Sequence, residues 1–403
     1  MTDEAAGQGS AAFFPWDMDM LNALAKWLGI ERKDSAAGPV MALHLAGRPV
    51  WTSRDHVSLT REGFGRNAVA YRCVRMVSEA CAAVPLRVEF EGARAPEHPL
   101  QALIDRPNGE QGGEGLREAL YGGLMTAGNA YVEAAVFDEA PAELWSLRPD
   151  RMKVVPNAKG WPEGYEYAAG GARTLIGRDA TGWLKVLHLK LWHPLDDWYG
   201  FSPLEAAAFA IDAHNASGAW NKALLDNAAR PSGALVYGAR AGERLSEDQF
   251  NRLREQLAET YAGKANAGRP LLLEGGLDWK PMAMTPAEMD FIAGRYAAAR
   301  DIALAFGVPA QLLGIPGDNS YANYKEANAA FWRNTVLPLV EKTTRSLSAW
   351  LGVKFPGTRV VCDVEGLPAL AAERDALWSR LEGATFLTEA ERRRLAGLPE
   401  VPA

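Results

Sequence analysis

Two tetrads of one kind, Ser202-Pro203-Leu204-Glu205 and Thr285-Pro286-Ala287-Glu288, constrain this chain more than any other feature. Each puts a hydroxyl residue at a helix N-cap, proline at the first helical position where no amide hydrogen is needed, and glutamate where it reaches back to the cap. Each therefore predicts a firm helix start. The first helix, over 203–228, is crowded with small residues such as Ala206, Ala210, Ala213, Ala216 and Gly218, which let neighbouring helices approach on more than one face. The second, over 286–306, carries Met289, Ile292, Tyr296, Ala299 and Ala303 on one stripe.

The sequence between the two helices predicts a compact module. A strand is expected over 233–237, a helix to 262 capped by Ser246-x-x-Gln249, and strands over 269–274 and 277–284 joined through the turn signal Gly275-Gly276. A β-α-β-β unit borne on two helices reads as a docking tip rather than a core.

Beyond the second helix, Pro309, Gly314, Pro316, Gly317, Asp318, Asn319, Ser320 and Asn323 interrupt the helical pattern, with Tyr321 and Tyr324 among them. Helical spacing resumes over 322–351 but contains Pro338, which removes a hydrogen bond and crowds the preceding turn at about 3 kcal/mol. A kink is expected over 334–338. A strand over 355–364 and helices over 370–383 and 389–396, the last capped by Thr388-x-x-Glu391, complete the chain.

The N-terminal half reads as α+β. Residues 1–12 are small and polar and are expected to be disordered. Leu21, Leu24, Trp27 and Leu28 then recur at helical spacing opposite Asp19, Asn22 and Lys26. A helix over 63–83 puts Val69, Cys73, Val77, Ala80 and Cys81 on one face, and a second runs over 115–127. Strands are expected at 86–90, 130–137, 152–156, 165–167 and 183–189.

At 403 residues with 48% apolar side chains the chain can bury a sizeable core, in two or more domains. A net charge of -7 argues against tight static binding of nucleic acid, which needs surplus lysine and arginine. Cys73, Cys81 and Cys362 are odd in number and lack a C-x-x-C pair, so they suggest neither a disulfide framework nor a zinc site. The acidic start has no signal-peptide core, and no window reaches the roughly 18 apolar residues of a membrane span. A soluble protein made in the cytoplasm is expected, with no membrane partner.

Catalytic signatures fall short. No phosphate-binding G-x-x-x-x-G-K-[ST] loop occurs. Gly200-Phe201-Ser202 starts like a nucleophile elbow, but Leu204 stands where glycine is needed, and Ser202 is better read as a helix cap. Gly63-Phe64-Gly65-Arg66-Asn67-Ala68 matches a dinucleotide fingerprint without the βαβ context. His188 and His193 lie at no usual metal-ligand spacing. Asp318, Lys325 and Glu326 read as solvated charges rather than an acid-base set. Neither a catalytic residue, a metal nor a cofactor is expected.

The order of segments resembles the portal proteins of long-tailed phages and of prophage-like gene transfer particles. Carrying the resemblance are AVAYRCVRMVSEACAAVPLRV, HPLQALIDRPNG, LMTAGNAYVEA, YGFSPLEAAAFAI, NAARPSGALV, GRPLLLEGGLDWKPMAM, ARDIALAFGVPAQLLG and FWRNTVLPLV, which run over about 63–340. The resemblance implies a non-enzymatic ring of about twelve subunits at the portal vertex of a virion, assembled in the bacterial host. Double-stranded DNA would pass transiently through it, and the terminase large subunit, the head-tail adaptor and the major capsid protein would be its partners.

It also implies an α+β portal fold with named parts. Residues 1–40 would form an N-terminal extension with an amphipathic helix. Residues 41–201, with 352–365, would form the wing, 202–231 and 285–307 the stem helices, and 232–284 the clip. Residues 308–324 would be the tunnel loop, 325–351 a long kinked helix and 366–403 the crown. In the tunnel segment, Asp318, Asn319, Ser320, Tyr321, Asn323, Tyr324 and Lys325 would face DNA, offering polar groups and bulk but little fixed positive charge to arrest sliding. In the clip, Glu247, Arg254, Glu255, Glu259, Leu271, Leu273 and Trp279 are the expected docking residues for terminase and adaptor.

Overall fold

The computed structural model describes residues 51–226, 233–237, 246–261, 277–281, 291–317 and 321–396. The expected N-terminal helix therefore lies outside the described residues. No described helix is long and apolar enough to cross a membrane.

The chain enters through α1 (His56–Glu62) and a glycine turn into α2 (Ala68–Ala83). Asn67 starts α2, its side-chain oxygen accepting from the amides of Val69 and Ala70. Helix α2 therefore begins later than its apolar period suggests. Gly63 is needed for close approach: a β-carbon there would stand 2.5 Å from a Leu204 methyl and 2.9 Å from the Leu59 carbonyl. The fingerprint-like glycines thus serve packing, Gly63 against Leu204 and Gly65 against the Arg61 carbonyl.

Strands β1 (Leu86–Phe90) and β2 (Ala93–Arg94) and helices α3 (Pro99–Asp105) and α4 (Gly113–Ala127) follow. Next come β3 (Asn129–Phe137), β4 (Ala140–Leu147), β5 (Met152–Pro156), β6 (Pro162–Ala169), β7 (Ala172–Ile176) and β8 (Val186–Lys190). Every pairing is antiparallel, in small sheets ordered β4-β3-β8 and β5-β6-β7. Helices α2 and α4 pack together, and α4 also lies against β3. The main core gathers Val77, Cys81, Leu120, Leu124 and Val132 with Val336, Val340 and Leu351 from far down the chain. A smaller core under β5-β6-β7 holds Met152, Val154, Tyr165 and Ile176.

Helix α5 (Pro203–Ala206) is separated from α6 (Ala208–Asp226) at Ala207, so the single helix expected over 203–228 is broken one turn in. Ser202 Oγ accepts from the Glu205 amide at 3.0 Å, one half of the expected capping box. After α6 come β9 (Gly233–Tyr237), α7 (Glu247–Tyr261) and β10 (Leu277–Pro281). Then come α8 (Phe291–Ala305), α9 (Tyr321–Phe331), α10 (Leu337–Gly352), β11 (Thr358–Cys362), α11 (Ala371–Gly383) and α12 (Glu389–Leu395). Strand β11 pairs antiparallel with β1, Leu86 opposite Cys362 and Phe90 opposite Thr358, so the C-terminal part of the chain closes a sheet begun near residue 86.

A π-turn, Trp332–Val336, joins α9 to α10. The kink expected around Pro338 takes this form: the Leu337 amide reaches back to the Trp332 carbonyl, five residues away. Widening the turn relieves the crowding that a proline ring imposes on the turn before it.

Candidate nucleic-acid interface

The interrupted segment is fixed at both ends. Helix α8 closes with Val308 N–H bonding the Ala303 carbonyl at 2.9 Å and Gly307 N–H bonding that of Leu304 at 3.0 Å, which is a Schellman cap. Gly307 sits at φ +64°. Thr335, in the π-turn, donates its hydroxyl to the Gly307 carbonyl at 2.6 Å and so ties the exit of α8 to the kink. A short 3-10 turn, Ala310–Leu313, then leads to left-handed Gly314 and buried Ile315. From α8, the Arg300 guanidinium donates to the Pro316 carbonyl. Neither Arg300 nor Thr335 was singled out by sequence, because each acts across 16 or more positions.

The structure redraws the expected loop. Tyr321, Asn323, Tyr324 and Lys325 belong to α9, which starts at Tyr321. Asp318, Asn319 and Ser320 lie outside the described residues. The helix starts one residue before the spacing expected from 322, and Tyr321 to Glu326 contain neither glycine nor proline. Asn323, Tyr324 and Lys325 are exposed, with Glu326 beside them. The segment offers polar and aromatic surface with mixed charge.

Helices α6 and α8 pack against each other. The expected stripe of α8 divides along its length: Ala299 and Ala303 are buried, whereas Ile292 is 70% exposed and Tyr296 half-exposed. Leu304 of α8 and Phe209 of α6 also stand exposed. The base of α6 is held by buried Asn67, whose Nδ2 donates to Asn215 Oδ1 at 2.9 Å and lies 3.1 Å from His214 Nδ1. Burial, with the Arg295 guanidinium as second cause, holds the His214 ring below its usual pKa.

In the segment expected to be the clip, β9 and β10 pair antiparallel, Trp279 opposite Leu235. The described partner of β10 is β9; the strand expected over 269–274, with Leu271 and Leu273, lies outside the described residues. Helix α7 opens with a reciprocal cap, Ser246 N–H to Gln249 Oε1 at 2.9 Å and Gln249 N–H to Ser246 Oγ at 3.3 Å. Glu247 and Glu255 are exposed on it, and Arg254 and Glu259 lie on the same helix. The sequence motifs considered for chemistry have structural duties. His188 stacks on Tyr131 with ring centroids 4.3 Å apart and meets Asn129 Oδ1 at 2.9 Å. Burial, then the nearby Lys190 charge, pulls its pKa down to about 3. Among the described residues no group of three histidine, cysteine, aspartate or glutamate side chains is arranged for a metal.

An antiparallel α+β body, a helix pair carrying a small β-sheet module and a long helix kinked at a π-turn together define the class of fold. The family model described as "Phage portal protein" matches residues 68–397. The chain belongs to the phage portal protein family. A protein of Rickettsia bellii (strain RML369-C) is 40% identical over 344 residues, covering 84% of this chain and 89% of its own. Among solved structures, the neck of an empty GTA particle computed with C6 symmetry has a chain 50% identical, with TM-score 0.69 over 88% of this chain and 96% of that one. The neck of a native GTA particle computed with C12 symmetry has one 49% identical, TM-score 0.66, over 88% and 97%.

Proposed function

We propose that the chain assembles head to tail into a closed ring of about twelve copies at one capsid vertex, and that double-stranded DNA passes through it during packaging and ejection. The observation that carries this reading is the full-length likeness to a chain in a particle neck computed with C12 symmetry. Exposed apolar side chains at both ends of α8 support it, because a ring gives Ile292 and Leu304 neighbours to pack against.

Portal proteins are structural, and we take this chain to act mechanically, with the packaging ATPase residing in the terminase. The segment from Gly314 into α9 approaches the DNA. Its few fixed cations suit a conduit that must not hold its cargo. The clip, with Glu247 and Glu255 on α7, docks the terminase large subunit and later the head-tail adaptor, and the wing meets the major capsid protein.

Light scattering and electron-microscope class averages of the purified protein test the ring. Closed rings with a hole wide enough for duplex DNA are expected; a monomer under all conditions, together with absence from DNA-containing particles, overturns it. Replacing Asn319, Ser320 and Tyr321 by lysine should slow or stall packaging, and unchanged DNA length and particle yield would remove them from the channel. Glu255→Lys and Glu259→Lys should weaken terminase or adaptor binding, and unchanged binding of both would clear that helix.

A further inference from the structure

An aromatic loop follows β8, and a basic-edged cleft opens beside β3 and β4 of the same sheet. The loop, residues 191–199, follows β8 and carries Trp192 at 79% and Leu195 at 91% exposure. Neither residue contributes to the core, yet the loop is rigidly built. At its two ends, Leu191 N–H bonds the Gly128 carbonyl at 2.9 Å and Gly200 N–H bonds Asn129 Oδ1 at 2.8 Å. Within it, Asp196 Oδ1 accepts from the amides of Trp198 at 2.7 Å and Tyr199 at 2.9 Å. The Trp198 indole donates to the Gly160 carbonyl at 3.1 Å, and the Tyr199 hydroxyl accepts from the Val154 amide at 3.0 Å. Six such bonds hold up two bare apolar tips, flanked by the carboxylates of Asp196 and Asp197. Large apolar side chains displayed on a preorganised loop are the form that interface anchors take, because little entropy is lost when they dock.

The cleft encloses about 440 Å³ between α1, α4 and the end of β4. Val57, Leu120 and Leu147 give it an apolar wall, and Arg61 and Arg148 contribute cations, the latter also paired with Asp150 at 2.8 Å. That volume falls in the range, roughly 300–1,000 Å³, of clefts that enclose a small apolar guest. None of the loop residues lines it. The cleft is lined by Ala130 and Tyr131 of the central strand β3 and by Ser146 and Leu147 of β4, whereas the loop follows the edge strand β8. One copy thus displays a plug and a socket built from different residues, as head-to-tail rather than two-fold association requires.

We propose that in the ring the loop bearing Trp192 and Leu195 of one copy seats in the cleft beside Arg61 and Arg148 of the next copy, with Asp196 and Asp197 meeting that basic edge. The proposal rests on the ring reading and specifies its wing contact. Apolar fit and opposite charge favour a second copy of this chain over DNA, which the two aspartates would repel.

Cysteines placed at Leu195 and Val57 test it. Both side chains are exposed, so neither substitution disturbs the core. Full-length protein carrying both is assembled, imaged, then treated with a short bismaleimide and run denatured. A ladder of multimers is expected from Leu195→Cys/Val57→Cys and from neither single variant, while unsubstituted protein controls for the native thiols. In parallel, Trp192→Ala/Leu195→Ala should raise the concentration needed for half-assembly roughly tenfold or more. Rings in the images with no ladder overturn the contact and leave the ring intact. Dimers from Leu195→Cys alone also overturn it, by showing two-fold pairing of loops, as does cross-linking of the loop to another particle protein. If no rings form in isolation or in particles, the ring reading fails and this contact falls with it.

Discussion

Replacing Gly307 with alanine loads the joint between the end of α8 and the π-turn. Gly307 is left-handed at φ +64°, and a β-carbon there would stand 2.7 Å from the Thr335 hydroxyl and 3.3 Å from its methyl. A residue with a side chain held in that conformation costs roughly 1–2 kcal/mol. The hydroxyl must also swing away from the Gly307 carbonyl, giving up a hydrogen bond that contributes about 0.5–1.5 kcal/mol. Stiffening of the unfolded chain returns about 0.4–1 kcal/mol. The expected net loss is about 2 kcal/mol. Thr335→Ala alone surrenders only the hydrogen bond, about 1 kcal/mol, and makes room for the new methyl. The double variant should therefore fall short of the two singles together by about 1 kcal/mol, because the bond is lost once. Urea unfolding of the four proteins measures each term. Additivity to within about 0.3–0.5 kcal/mol, or a Gly307→Ala protein as stable as its parent, would refute the coupling between the exit of α8 and the π-turn.

Two further expectations concern buried titratable groups. His188 is neutral in the fold, its pKa lowered from 6.5 to about 3, so the unfolded chain takes up a proton first as pH falls. Its contribution is complete above about pH 6.5 and is lost progressively below it, by about 1–2 kcal/mol between pH 6.5 and 5. His188→Gln, which keeps a donor for Asn129, should flatten the urea midpoint over that interval, and an unchanged slope would show that the ring does not titrate there. Burial also pushes the Cys73 thiol up to about 12 and raises Cys81 further. Iodoacetamide at pH 8 should leave both unmodified in the folded protein and label at most Cys362; mass spectrometry showing early modification of Cys73 or Cys81 would contradict their burial.

Signals confined to one helical turn were legible in the sequence. Ser246 with Gln249, and Thr388 with Glu391, form the reciprocal caps their spacing requires. Pro338 likewise announced a disturbance of its helix, though not that a π-turn would take it up. Elements without such marks were missed. Helix α3 is capped by His98, whose Nδ1 accepts from the Leu100 amide at 3.1 Å, a residue type that signals no helix start. Strand β4 contains Pro141 and three further residues with weak strand preference, and owes its place to pairing with β3 along Tyr131 to Phe137. Helical spacing from 322 was legible too, and it is the loop bounds implied by the resemblance that overran into Tyr321, Asn323 and Tyr324, which the structure gives with Lys325 to α9. The ties that position the segment ahead of α9, Arg300 to Pro316 and Thr335 to Gly307, follow from packing between distant segments and leave no local trace.

The stripe on α8 shows where pattern and burial part company. A period of 3.6 states which residues share a face; it is silent on what covers that face. Ala299 and Ala303 are covered by this chain's own core, yet Ile292 at the other end of the same stripe is 70% exposed, and Leu304, next to Ala303 but off that stripe, is exposed as well. On α6, Phe209 is 64% exposed although Trp51 stacks on it with ring centroids 5.0 Å apart. Among the described residues, Ile292 and Leu304 are left largely uncovered. In the proposed ring, neighbouring copies would supply that cover for α8, as the proposed socket beside Arg61 would for the loop at Trp192 and Leu195.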